Sequence, residues 1–205
     1  MWLLLLAVVS SPAGPPAATL LDVASDYGDA QLPTPLPSAG WLGLCETPGG
    51  FVVREVGVQI TPVKVMWDGP GEETGRRVRV TNCPEPKAVF SGLSVAKGAV
   101  KTARVEKGKV MMGHSTLSFK VVETEGAPTR LYVIEGKRRM LLSEKPDGGP
   151  IKFRIRWAGD LDRDGLPDLL VEEDDEGTRL TLFLSSVGKK ETAWEPIAST
   201  FHGGC

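Results

Sequence analysis

The chain has 205 residues, 41% hydrophobic and 24% charged, with a formal net charge of −2; this fits one domain or two small ones and excludes wholesale disorder. A sequence pI near 5.8 argues against a protein built to hold nucleic acid. Gly (24) and Pro (16) together approach a fifth of the chain, which favours turns and short strands over helical bundles, where both residues are costly.

The N-terminus, Met1-Trp2-Leu3-Leu4-Leu5-Leu6-Ala7-Val8-Val9, is an apolar run followed by Ser10, Ser11, Pro12 and Ala13. It is shorter than the roughly 20 apolar residues of a membrane span and is followed by small residues, the pattern of a secretory signal peptide. The expectation is a signal peptide over 1–18, cleaved after Ala13 or Ala18, and a secreted or periplasmic protein with no transmembrane segment once it is removed. Residues 19–40, with Pro33, Pro35 and Pro37 spaced by two, read as a Pro-rich leader of extended character. A single β-rich domain over 41–205 then opens at Gly40-Trp41-Leu42. Three cysteines, Cys45, Cys83 and Cys205, allow one disulfide in an oxidising compartment, with all three pairings open.

From Phe51 onward the pattern is strand, turn, strand. Candidate strands are Phe51–Val58, Gln59–Trp67, Arg76–Thr81, Lys87–Phe90, Lys101–Glu106, Thr116–Glu123, Arg130–Glu135, Arg138–Leu142, Ile151–Trp157, Asp168–Glu173 and Thr178–Ser185. Turn sequences such as Asp68-Gly69-Pro70-Gly71, Glu135-Gly136-Lys137 and Asp147-Gly148-Gly149-Pro150 separate them. Ile151, Phe153, Ile155 and Trp157 alternate with Lys152, Arg154 and Arg156, the period of a strand with one wet face. Leu180, Leu182 and Leu184 alternate as well, with Phe183 on the opposite face, which predicts a strand buried on both sides. The expected class is all-β, an antiparallel β-sandwich or barrel-like domain of short strands.

One segment carries recognisable chemistry. In Asp160-Leu161-Asp162-Arg163-Asp164-Gly165-Leu166-Pro167-Asp168 the carboxylates fall at loop positions 1, 3, 5 and 9, with Gly at position 6. Hard divalent cations such as Ca²⁺ take six to eight oxygen ligands, and alternate residues of a tight loop can point them inward. Gly165 permits the sharp turn, and the Leu166 carbonyl falls at position 7. An EF-hand requires a bidentate Glu at position 12 and flanking helices. Position 12 here is Val171, and both flanks read as strands.

The stretch Ala158-Gly159-Asp160-Leu161-Asp162-Arg163-Asp164-Gly165-Leu166-Pro167-Asp168-Leu169-Leu170-Val171 resembles the calcium loop of FG-GAP repeats, as in integrin α-subunit propellers. The resemblance implies one Ca²⁺ held by Asp160, Asp162, Asp164, Leu166 and Asp168. It covers residues 158–171 in a single copy. No self-similarity at blade length accompanies it, which argues against a full propeller.

The acidic run Glu172-Glu173-Asp174-Asp175-Glu176 reads as a solvated turn between strands. Lys97, Lys101, Arg104, Lys107 and Lys109 form a basic stretch without interleaved aromatics, so no nucleic-acid partner is expected. The two histidines, His114 after Met111-Met112-Gly113 and His202 on the C-terminal tail, come with no GxSxG, HExxH or Walker pattern. The expected function is a secreted, calcium-binding, non-catalytic β-rich binding or structural module whose partner is a protein or surface glycan. The competing expectation is a carbohydrate-active or other hydrolytic enzyme using acidic residues.

Overall fold

A computed structural model describes residues 18–23, 26–28, 31–32, 35–66, 72–174 and 177–203. In chain order the strands are β1 (Thr19–Leu21), β2 (Asp26–Gly28), β3 (Leu42–Thr47), β4 (Gly50–Glu55), β5 (Gly57–Met66), β6 (Glu72–Thr81), β7 (Glu85–Ser91), β8 (Gly98–Thr102) and β9 (Arg104–Glu106). They continue as β10 (Lys109–Met112), β11 (Ser115–Val122), β12 (Thr129–Glu135), β13 (Arg138–Lys145), β14 (Lys152–Asp160), β15 (Asp168–Asp174), β16 (Thr178–Phe183) and β17 (Ala198–His202). A nine-stranded antiparallel sheet runs β1-β7-β3-β4-β8-β14-β15-β16-β17. Its end strands β1 and β17 lie together, so the sheet is nearly closed into a barrel. A five-stranded sheet, β13-β12-β11-β10-β9, and a three-stranded sheet, β2-β6-β5, flank it. The class is all-β, as the alternation and turn chemistry predict.

Three apolar clusters follow from the alternation of side chains along each strand. Leu44, Phe90, Trp157, Leu161, Leu170, Leu180 and Leu182 pack together as one, the barrel core. Leu117, Leu131, Val133 and Met140 of the five-stranded sheet pack against Leu169, Val171 and Phe183 of the barrel wall. Tyr27, Trp41 and Val78 form a third cluster with Leu21 and Val89. Strands β15 and β16 therefore present apolar side chains on both faces, as the Leu180–Phe183 pattern predicts.

The structure corrects the face assignment of β14. The β14–β15 register shifts between Ile155 and Trp157. This β-bulge inserts one residue and rotates the remainder of the strand to the other face. Ile151, Phe153 and Ile155 pack with the five-stranded sheet, whereas Trp157 enters the barrel core. Gly159 comes two residues later, where an added Cβ would lie 2.5 Å from the Lys101 carbonyl oxygen and as close to the Trp157 ring.

The segment read as a leader is also corrected. Residues 19–40 contribute β1, paired to β7, and β2, paired to β6; Leu20, Leu21 and Tyr27 are fully buried. Of the expected signal peptide, residues 1–17 lie outside the described residues. A disulfide joins Cys45 of β3 to Cys83, between β6 and β7; Cys205 lies outside the described residues. Gly43 makes room for this bridge, since a Cβ there would stand 3.2 and 3.3 Å from the two sulfurs and 2.8 Å from a methyl of Val56.

Candidate metal site

Strand β14 ends on Asp160 and β15 begins on Asp168, so the loop between them is anchored at both ends by ladder pairing. Leu161 plugs into the barrel core and pins the start of the loop. Two residues turn the backbone through positive φ, Arg163 at 66° and Gly165 at 87°. Glycine adopts that region at no steric cost, while Arg163 does so against its own side chain.

Carboxylate oxygens of Asp160, Asp162 and Asp168 lie within 4.8 Å of one another. Asp168 is fully buried. Its Oδ1 accepts the Ser185 N–H at 2.7 Å, and its Oδ2 accepts those of Leu161 at 2.7 Å and Asp162 at 3.3 Å. Burial is the largest influence on this carboxyl and the Asp162 charge acts in the same direction; against the opposing backbone donors, they push its pKa up to about 7. Asp160 accepts the Gly165 N–H at 3.2 Å through Oδ2. Its Oδ1 is buried and has no hydrogen-bond partner.

Asp164 and Leu166, both named with the triad from the sequence, share the loop, and the Asp164 carboxylate lies outside the cluster. Asp164 accepts the Leu166 N–H at 2.7 Å and the Ser185 hydroxyl at 2.8 Å, and the Leu166 side chain is exposed. Asp162 takes the Asp164 N–H at 3.2 Å and the Ser186 hydroxyl. Ser185 and Ser186, just beyond β16, thus tie the loop to the next hairpin. Nothing local in the sequence marks them; they reach the aspartates only because β15 and β16 are paired.

When ionised, three carboxylates in this space repel one another by roughly 1–4 kcal/mol per pair at effective dielectric constants from 80 down to 20. The only basic residue of the loop, Arg163, is turned away and donates to the Lys97 carbonyl at 2.8 Å. An all-oxygen donor set with uncompensated negative charge could hold a hard metal ion.

Two other polar groups differ from their sequence assignments. Glu172 and Glu173, read as part of a solvated turn, are buried in β15. Glu172 pairs with Arg154 at 2.5 Å and with Arg156, and Glu173 accepts the Ser143 hydroxyl at 2.8 Å. His202, read as part of a tail, is buried in β17 with Nε2 2.8 Å from Asp22 Oδ2. Tyr27 donates its hydroxyl proton to the Asp22 carbonyl at 2.9 Å, and burial pushes this phenol up to about 12. His114 sits in the exposed turn after β10.

A disulfide is more typical of extracellular proteins than of cytosolic ones. No protein-family model, curated protein or solved structure matches this chain.

Proposed function

We propose that this chain is a secreted or periplasmic, non-catalytic β-rich binding or structural module in which one Ca²⁺ at the Asp160–Asp168 loop, of the FG-GAP kind, clamps β14 to β15. The observation that carries the reading is Asp160 Oδ1, a carboxylate oxygen buried without a donor beside two further aspartates. A cation supplies what that oxygen lacks and relieves the repulsion among the three. Asp160, Asp162 and Asp168 are its side-chain ligands, and the FG-GAP likeness adds Asp164 and the Leu166 carbonyl. The partner of the module is a protein or surface glycan outside the cell.

The test is thermal unfolding of the full chain in EGTA and then in millimolar Ca²⁺ or Mg²⁺. With the roughly 0.1–1 mM affinity of extracellular modules, 1 mM Ca²⁺ adds about 0.4–1.5 kcal/mol by mass action. A rise selective for Ca²⁺ that disappears in Asp162→Ala supports the site. An unchanged midpoint at 10 mM Ca²⁺, together with no calorimetric binding heat, overturns it.

A further inference from the structure

The metal loop lies at the shortest ladder of the nine-stranded sheet. Strand β8 joins two halves of the barrel, β1-β7-β3-β4 on one side and β14-β15-β16-β17 on the other. Its ladder to β14 consists of two register pairs, Gly159↔Thr102 and Asp160↔Lys101, continued by one bond from the Ala103 N–H to the Ala158 carbonyl at 2.9 Å. By contrast, β14 and β15 pair from Lys152↔Asp174 to Gly159↔Asp168. Apart from the half-buried Val100, the residues of β8 are exposed, so little apolar packing holds the strand in place.

Both ends of β8 are fastened through the acidic loop. Asp160 is at once a ladder partner of Lys101 and a member of the carboxylate triad. Arg163 crosses from the loop to the Lys97 carbonyl just before β8, and its guanidinium lies 3.3 Å from where a Cβ on Gly98 would be. Anything that loosens the loop therefore releases β8 from two directions.

We infer that calcium at the Asp160–Asp168 site controls strand pairing at the β8–β14 seam of the barrel, so that metal loss opens the seam locally while the rest of the fold persists. The inference rests on the calcium reading of the loop. Without the ion, repulsion among Asp160, Asp162 and Asp168 spreads the loop, withdraws Arg163 from Lys97 and pulls Asp160 out of register with Lys101. With it, the loop is drawn together and β8 is held at both ends. Low-stability segments of this kind open independently of the global fold.

The experiment is amide hydrogen exchange of the full chain in EGTA and in Ca²⁺, with calorimetric titration of Ca²⁺ alongside. When opening is coupled to ion release, Ca²⁺ at ten times its Kd slows exchange about tenfold. The expected result is that slowing in peptides covering 97–103 and 158–161, with β11 and β12 unchanged. In Arg163→Ala, which leaves the acidic ligands in place, calcium heat should persist while protection at 97–99 falls. Calcium heat with slowing confined to 160–168 overturns the seam inference and leaves the metal site standing. Absence of calcium heat overturns both.

Discussion

Reduction of the Cys45–Cys83 disulfide is a perturbation whose cost is set by its place in the chain. The bridge closes a loop of 38 residues, and the chain-entropy relation assigns about 4 kcal/mol to a loop of that length at 25 °C. Cys45 is fully buried in β3, which pairs with β7, while Cys83 comes after β6 of the flanking sheet. The bridge thus connects the three-stranded sheet to the barrel wall and constrains the unfolded chain across both. Reduction leaves both sulfur atoms in place, so the core loses almost no packing and the entropic contribution is isolated. For a domain of this size 4 kcal/mol corresponds to a fall in midpoint of about 8–16 °C. The assay is urea and thermal unfolding of the oxidised and reduced protein in a Cys205→Ser background, which prevents exchange with the third thiol. A loss near 4 kcal/mol is a large part of the roughly 5–15 kcal/mol that holds a domain together, and it would make the fold dependent on an oxidising compartment. Identical midpoints before and after reduction would refute the reasoning.

Gly43→Ala should destabilise the oxidised protein by about 1–3 kcal/mol, because the new methyl meets Val56 and both sulfurs; urea unfolding measures it, and an unchanged midpoint would show that the bridge moves aside freely. In metal-free protein Asp168 keeps its proton to about pH 7, whereas in the unfolded chain the carboxyl ionises near its ordinary 3.8. The unfolded state then binds fewer protons between about pH 4 and 7, so stability attributable to Asp168 falls as pH rises through that window, by up to about 4 kcal/mol. The difference between wild type and Asp168→Asn, followed by urea unfolding in EDTA from pH 4 to 8, should show this slope; a difference independent of pH would contradict it.

Strands with regular alternation and clear turns were legible from residues alone. β12, with Leu131 and Val133 inward, is one, and β16, with apolar residues on both faces, is another. Short strands were not: β1 and β2 sit among prolines and small residues, and their burial is decided by β7, β6 and β17, which no local pattern reports. The bulge in β14 was equally silent, because Trp157 keeps perfect period 2 in sequence while the backbone shifts beneath it. The acidic loop was legible as a loop and as an oxygen donor set. Which aspartates converge was not, since Asp164 is drawn off by the Ser185 hydroxyl, a residue 21 positions away. Glu172 is a further case: an acidic run looks solvated until Arg154 and Arg156 are brought across the ladder to meet it.

β1 and β17, the first and last strands among the described residues, lie side by side. Asp22 and His202 share a hydrogen bond, Gln31 donates its side-chain amide to the Gly203 carbonyl at 2.9 Å, and Tyr27 stacks edge-on against His202. β1 and β17 run parallel, so Gly203 stands near Asp22 rather than Ala18, and a linker from Gly203 to Ala18 would have to run back along β1, roughly 13 Å at about 3.3 Å per residue; new ends could be opened in the exposed turn at Gly136-Lys137 without cutting a ladder. Domains whose first and last strands are neighbours accept such permutation and can be spliced into the loop of another protein with little distortion of either.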